Sequence, residues 1–274
     1  MPFIDIANVT HTYGGQAGAS ATLAVEDLTI RVNEGEFSAV VGPSGCGKST
    51  LMKLATGLQF PQTGTVAVDG KTVSQPVKIA GMAFQNPVML PWRTVLDNIM
   101  LPLEIVQPHR GLLRTKKAEY IAKAEALLET VGLKGMGQKF PWQLSGGMQQ
   151  RASLCRSLIH DPKLLMLDEP FGALDAFTRE ELWCVIRDLH ELKKFTVVLV
   201  THDLREAVFL ADRVFCMSAR PGKIIAEREV HFARPRDLEI TYSPEFADVV
   251  HELRGLIKGA RTTPIADAAA GAKA

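Results

Sequence analysis

Apolar and polar positions change their period along this chain, and the changes mark its organisation. Phe3, Ile4 and Ile6 open with a short apolar strand. A small-residue loop, Gly14–Thr22, precedes Leu23, Val25, Leu28, Ile30 and Val32, whose partial alternation predicts a half-buried antiparallel strand. Phe37–Val41 is of another kind, a continuous apolar run ending at glycine. Such a run suits a strand buried on both faces of a parallel sheet. Beyond the glycine-rich turn, Leu51, Leu54, Ala55 and Leu58 recur at helical spacing, with Gly57 and Pro61 marking the end. Gly64–Gly70 and Ile79–Phe84 read as further short strands.

From about Asn86 to His160 the helical period dominates. Ile121, Ala124, Leu128 and Val131 share one face, as do Met148, Ala152, Cys155 and Ile159. Pro108–Gly111 and Gly132–Pro141 read as loops that interrupt this region. The alternation then returns: strand Leu164–Leu167, helix Phe177–Leu192, strand Thr196–Val200, helix Leu204–Leu210, strand Arg213–Met217. The pattern predicts an α/β protein with a mostly parallel sheet, an antiparallel β subdomain and an inserted helical subdomain at about residues 86–160. A short helical extension is expected within 231–260. The small-residue tail Thr262–Ala274 has the composition of a disordered segment.

Composition narrows the class. With 31 basic and 30 acidic side chains among 274 residues the formal net charge is +1, which argues against a dedicated nucleic-acid binder. Apolar runs such as Val197–Val200 are four residues long, far short of the roughly 18 to 20 that a membrane-spanning helix needs. Neither a signal peptide nor a lipidation signal is read at the ends. The four cysteines, Cys46, Cys155, Cys184 and Cys216, stand far apart and read as free thiols of a reducing compartment. Seven histidines show no zinc-hydrolase spacing.

The strongest chemical signal is Gly42-Pro43-Ser44-Gly45-Cys46-Gly47-Lys48-Ser49-Thr50, a GxxxxGK[ST] phosphate loop set between a buried strand and a helix. Its backbone N–H groups and the helix start suit phosphate oxygens. Lys48 would reach the β- and γ-phosphates of a nucleotide, and Ser49 would ligate Mg2+. Leu164–Leu167 ends in Asp168-Glu169, at the strand edge where open parallel sheets bind ligands. Asp168 suits a hydrated Mg2+, leaving Glu169 to orient or deprotonate water. Between these motifs, Leu144-Ser145-Gly146-Gly147-Met148 enters a helix with Ser145 as a plausible cap. It is a second anion-binding helix start that one phosphate loop does not require.

At this point the chain resembles the ATP-binding subunits of ATP-binding-cassette (ABC) transporters, over about residues 1–230. The resemblance implies an ATPase in which Ser145, Gly146 and Gly147 of one subunit meet the γ-phosphate of ATP held by the phosphate loop of another. Met148 stands where the common signature has glutamine. The family's other elements fall on Tyr13 as the adenine-stacking aromatic, Gln85 as a contact to Mg2+ and the attacking water, Asp175 in the loop crossing the dimer interface, and His202 as the switch histidine. Tyr13 has an ordinary reading beside this one, as a strand aromatic.

A single cassette without sustained heptads favours a transporter over a soluble ABC ATPase of repair or translation, which stands as the alternative. The absence of a guanine-specific NKxD motif argues against a GTPase. The resemblance implies a bacterial importer with separate transmembrane permease subunits docking near Gln85–Trp92, served indirectly by a solute-binding protein. It also implies a second cassette, read as a homodimer, at the cytoplasmic face of the membrane. Met89, Leu90 and Trp92 could equally fill the core of the helical region. The phrasing LPWRTVLDNI, FPWQLSGGMQQRASLCRSLIHDPKLLMLDEPFGALDAFTREEL and MSARPGKI is similar to the nitrate/sulfonate/taurine importer branch. The basic cluster Arg110, Arg114, Lys116 and Lys117 reads as a solvated helix face rather than a lipid contact.

Overall fold

Strands buried on two faces must be apolar at nearly every position, and Phe37–Val41, Leu164–Asp168 and Thr196–Thr201 meet that condition. In order, the computed structural model contains β1 (Ile4–Tyr13), β2 (Thr22–Val32), β3 (Phe37–Val41), α1 (Lys48–Ala55), β4 (Thr63–Val68), β5 (Lys71–Thr72), β6 (Ala80–Ala83), α2 (Val95–Met100), α3 (His109–Leu112), α4 (Lys117–Thr130), α5 (Gly146–Leu158), β7 (Leu164–Asp168), α6 (Ala176–Lys193), β8 (Thr196–Thr201), α7 (Leu204–Leu210), β9 (Arg213–Met217), β10 (Ile224–Glu229) and α8 (Pro244–Gly259). It describes residues 1–14, 21–172 and 174–259. The small-residue loop read over 14–22 lies, between its ends, outside the described residues, and so does the tail 262–274.

Among the described residues two sheets form. One is antiparallel in the order β2-β1-β4-β5; the other runs β10-β9-β3-β8-β7-β6, parallel except for β10. Alternate side chains of the parallel strands feed two cores. Val40, Met166, Val198 and Val200 pack with α1 and the antiparallel sheet, while Phe37, Leu165, Leu167 and Leu199 face the larger helical side. The helices between β6 and β7 share that larger core through Ile99, Leu103, Leu128 and Cys155. No helix among the described residues is long and apolar enough to cross a membrane.

Some elements depart from the sequence expectation. Pro108–Gly111 is not a loop. Arg110 N donates to Val106 O and Gly111 N to Pro108 O, and the His109 ring bridges Tyr120 Oη and His160 O, which fixes the turn as helix α3. Leu58 lies beyond α1 and is exposed, because Leu58 N folds back onto Lys53 O as the helix ends. β10 carries alternating half-buried and exposed positions, a surface pattern.

The segment after β6 is fixed from within. The buried Asn98 accepts from Leu90 N at 2.7 Å and donates to the carbonyls of Leu90, Arg93 and Thr94 at 3.0, 3.2 and 2.9 Å. Met89 is buried, while Val88 and Trp92 are exposed. Asn98→Ala would strand these backbone groups, so it should cost about 2 kcal/mol of stability. Urea unfolding measures the loss, and faster amide exchange at 88–94 should localise it.

Candidate nucleotide site

The site grows from the carboxyl edge of the parallel sheet. β3 ends at Val41, and the turn Gly42–Gly47 leads straight into α1. Gly47 has φ 103, and a Cβ there would lie 2.7 Å from Val25 Cγ1 and 2.9 Å from Ala24 O. Only glycine lets the antiparallel sheet lie against this turn. Lys48 is buried, its Nζ donating to Gly42 O at 2.9 Å and Pro43 O at 3.0 Å. The ammonium therefore sits inside the hollow of the loop. Cys46 differs from its neighbours. Its side chain is buried and burial pushes the thiol up, so only its backbone can face a ligand.

Ser49 Oγ donates to Asp168 Oδ1 at 3.4 Å, joining the start of α1 to the end of β7. Burial raises the Asp168 carboxyl, helped by the Glu169 charge, while the Ser49 hydrogen bond and Lys48 act the other way. Glu169 follows with φ 45, a left-handed backbone that is costly for a side chain of this size. Its N–H is held by Val200 O at 2.8 Å. This kink points the carboxylate across the sheet edge, where Oε2 accepts from Gln85 Nε2 at 3.1 Å and lies 3.1 Å from His202 Nδ1. Tyr13 stands at the far end, its hydroxyl 2.6 Å from Gln59 Oε1 and 3.2 Å from Thr50 Oγ1.

Two connected clefts result. One, of about 370 Å³, is bordered by Tyr13, Ser44, Gly45, Gly47, Lys48, Ser49, Thr50, Gln85, Glu169 and Arg220. The other, of about 840 Å³, continues from Gly42, Pro43, Ser44, Gln85, Glu169 and His202 to α7 and α8. Ser145, Gly146, Gly147 and Asp175 border neither. Ser145 caps α5 by accepting from Met148 N at 3.3 Å, and Asp175 caps α6 by accepting from Thr178 N at 3.0 Å. Both helix starts are exposed, away from this chain's own phosphate loop. Thus one chain unites Tyr13, the loop, Asp168, Glu169, Gln85 and His202, and leaves the second serine–glycine helix start facing outward.

Sequence reasoning missed Arg220. Its Nε donates to Gly45 O at 3.3 Å across a turn that is itself locked in place. Gly222 N bonds Ala24 O, and a Cβ at Gly222 would collide with Cys46 O. The phrase Arg220-Pro221-Gly222 signals a turn, but nothing local says that the turn abuts the phosphate loop. Gln150 was also missed. It is buried in α5 and donates to Phe84 O at 3.1 Å, beside Gln85.

Glu206 supports the histidine turn. It accepts a hydrogen bond from Thr201 Oγ1 at 2.5 Å, and Thr201 Oγ1 in turn accepts from Asp203 N at 3.0 Å. Burial, with repulsion from Asp203 and Glu169, pushes the Glu206 carboxyl up to about 8 against opposing pulls from Thr201 and Arg179. The folded value lies above the ordinary 4.5, so the stability of the neutral form is present below that value and is lost as pH rises through about 8. Glu206→Gln should flatten the decline of melting temperature over this window. An unchanged slope would show that the carboxyl is not held neutral.

Comparison with known proteins gives the family. Residues 25–172 match the ABC transporter family, and the chain belongs to it. The aliphatic sulfonates import ATP-binding protein SsuB of Bacillus licheniformis is 44% identical over 207 residues, 76% of this chain and 77% of that one. The nitrate import ATP-binding protein NrtD of Synechococcus elongatus is 43% identical over 229 residues, 83% and 82% of the two chains. Among solved structures, a dimeric post-hydrolysis state of the ATP-binding cassette MJ0796, bound to ADP and Pi, superposes with a TM-score of 0.71 at 28% identity. It covers 84% of this chain and all of that one. The fold is that of an ABC ATPase.

Proposed function

We propose that the chain is the ATP-hydrolysing subunit of a membrane importer for a small oxyanion or organosulfonate, acting as a pair of copies at the cytoplasmic face of the membrane. Residues 1–230 form its ATP-binding domain, with the helical subdomain at about 86–160, and 231–260 are an extension. The observation that carries the reading is the division of the site. Lys48, Asp168, Glu169, Gln85 and His202 share one region of the sheet edge, while Ser145–Gly147 caps an outward-facing helix. A second copy placed head to tail supplies the missing anion site.

The donor set fits Mg2+: a serine hydroxyl and a carboxylate 3.4 Å apart are hard oxygen ligands, and Gln85 borders the same cleft. Among the described residues no cluster of three acidic, histidine or cysteine side chains could hold a metal unaided. Held there by Ser49, Asp168 and Gln85, Mg2+ would supply charge neutralisation for the phosphates. The loop N–H groups of Gly42–Thr50 and the Lys48 ammonium hold the phosphates, and Tyr13 stacks on adenine. Glu169 accepts the proton of the in-line water, and His202 Nδ1 positions the Glu169 carboxylate beside the γ-phosphate. ATP stabilises the closed pair and hydrolysis removes the bridge.

Transmission to the permease runs through the segment after β6. An apolar groove of about 450 Å³ is walled by Met82, Phe84, Val88, Leu101 and Ile105, with Arg156 and His160 among its polar borders. Gln150 holds Phe84 O, and Arg156 Nη1 holds Val88 O at 2.7 Å, so α5, whose start meets the partner's ATP, grips the groove directly. A permease helix seated there moves when α5 does. The test is co-purification with the permease subunits, then uptake into vesicles of nitrate, taurine, alkanesulfonates and pyrimidine precursors. ATP-dependent uptake of an oxyanion or sulfonate is expected, and its absence for all of them would refute the oxyanion and sulfonate assignment.

A further inference from the structure

The wider cleft has a wall that the ATP chemistry does not use. Beyond Gly42–Ser44 and His202 it runs between α7 and α8, bordered by Leu204, Arg205, Val250, Arg254, Ile257 and Lys258. α8 is anchored by the buried Phe246 and Leu253, which leaves this face fixed rather than free. Arg254 and Lys258 are exposed and have no ion-pair partner among the described residues. The groove thus offers apolar walls with a cationic rim.

A matching feature sits at the start of α6. Phe177 is 82% exposed, and the exposed Asp175 and Glu181 flank it without ion-pair partners among the described residues. This corner is tied to the signature helix. A Cβ at Gly147 would lie 2.9 Å from Leu174 Cδ2, so Leu174 to Phe177 continue from the surface of Ser145–Gly147. It is also tied to the start of α7, through Arg179 and Asp203 at 3.6 Å and Glu180 and Arg205 at 4.0 Å.

On one side the phosphate loop is bordered by Tyr13 and Arg220, and on the other, through Gly42–Ser44 and His202, by the groove between α7 and α8. The Leu174–Phe177 corner of a copy whose Ser145–Gly147 lies on that loop would reach the second side. We propose that the C-terminal helix α8 belongs to the pairing surface, with Phe177 of one copy seated against Leu204, Val250 and Ile257 of the other and its Asp175 and Glu181 facing Arg254 and Lys258. The contact is isologous, made twice about one two-fold axis. Opposite charges fix its register, and it continues the pairing proposed above, on which it rests.

The experiment uses full-length chains carrying Glu169→Gln, with MgATP. One copy also carries Phe177→Cys and the other, bearing a larger tag, Ile257→Cys. Oxidation should give a covalent heterodimer of the two tagged chains with ATP and not with ADP. In parallel, Arg254→Glu with Lys258→Glu should raise the dissociation constant of the ATP-bound pair at least tenfold, with ATP affinity of the single chain unchanged. If the chains pair by light scattering yet neither cross-link nor charge reversal has an effect, the role of α8 is overturned and the pairing stands. If they do not pair with ATP at all, the pairing itself fails and this contact fails with it.

Discussion

Glu169→Gln should lower ATP turnover by about two to four orders of magnitude, the range in which a positioned general base acts. Its geometry explains why the loss would be catalytic and not structural. The amide keeps the volume of the side chain, the backbone kink is held by Val200 O, and Gln85 and His202 remain within 3.1 Å. Lys48 and Asp168 are unchanged, so ATP affinity of the single chain should stay within about twofold of the parent. Steady-state phosphate release and equilibrium binding of a fluorescent ATP analogue check the two halves. Near-parental turnover would mean that Glu169 does not serve the water.

Lys48→Ala should be as severe by a different route. The ammonium is the buried positive charge inside the loop hollow, bonded to two of its carbonyls. Removing it takes away a preorganised charge aimed at the phosphates, worth about two to three orders of magnitude in turnover. Because it would also contact the ground-state triphosphate, binding should weaken in parallel. The two variants therefore separate: the Glu169→Gln protein binds ATP and does not turn it over, whereas the Lys48→Ala protein loses both. Intact binding in the lysine variant would place Nζ away from the phosphates.

Sequence pattern and structure agree most where the physics is local. Phe37–Val41, Leu164–Leu167 and Val197–Val200 are apolar at each step apart from Ser38, and each lies in the parallel sheet with alternate residues in two cores. Gly42–Thr50 and Asp168-Glu169 are legible because their spacing is contiguous. Gln85 and His202 have no local signature. They enter through family resemblance, and the fold brings both to the same Glu169 oxygen. What stayed hidden depends on distant partners. Arg220 acquires its place from Gly45, 175 positions away, and Asn98 from carbonyls that only the folded segment gathers. Glu206 would read as a surface acid of an amphipathic helix, and only its burial under the histidine turn reveals that its carboxyl is pushed up. α3 was obscured because Pro108 and Gly111 signal a break, whereas His109 makes the tertiary bonds that hold a helical turn.

In the proposed pairing one chain holds half of a site and ATP joins two halves. Ser145→Arg tests the other half. The cap it removes is worth about 1 kcal/mol, too little to unfold the chain. The direct measurement is the mass of the Glu169→Gln protein by light scattering with MgATP, with and without Ser145→Arg. Twice the single-chain mass is expected with Ser145 intact, and the single-chain mass with arginine there although ATP remains bound. A dimer that survives Ser145→Arg, or a Glu169→Gln protein that stays single while saturated with ATP, would contradict it.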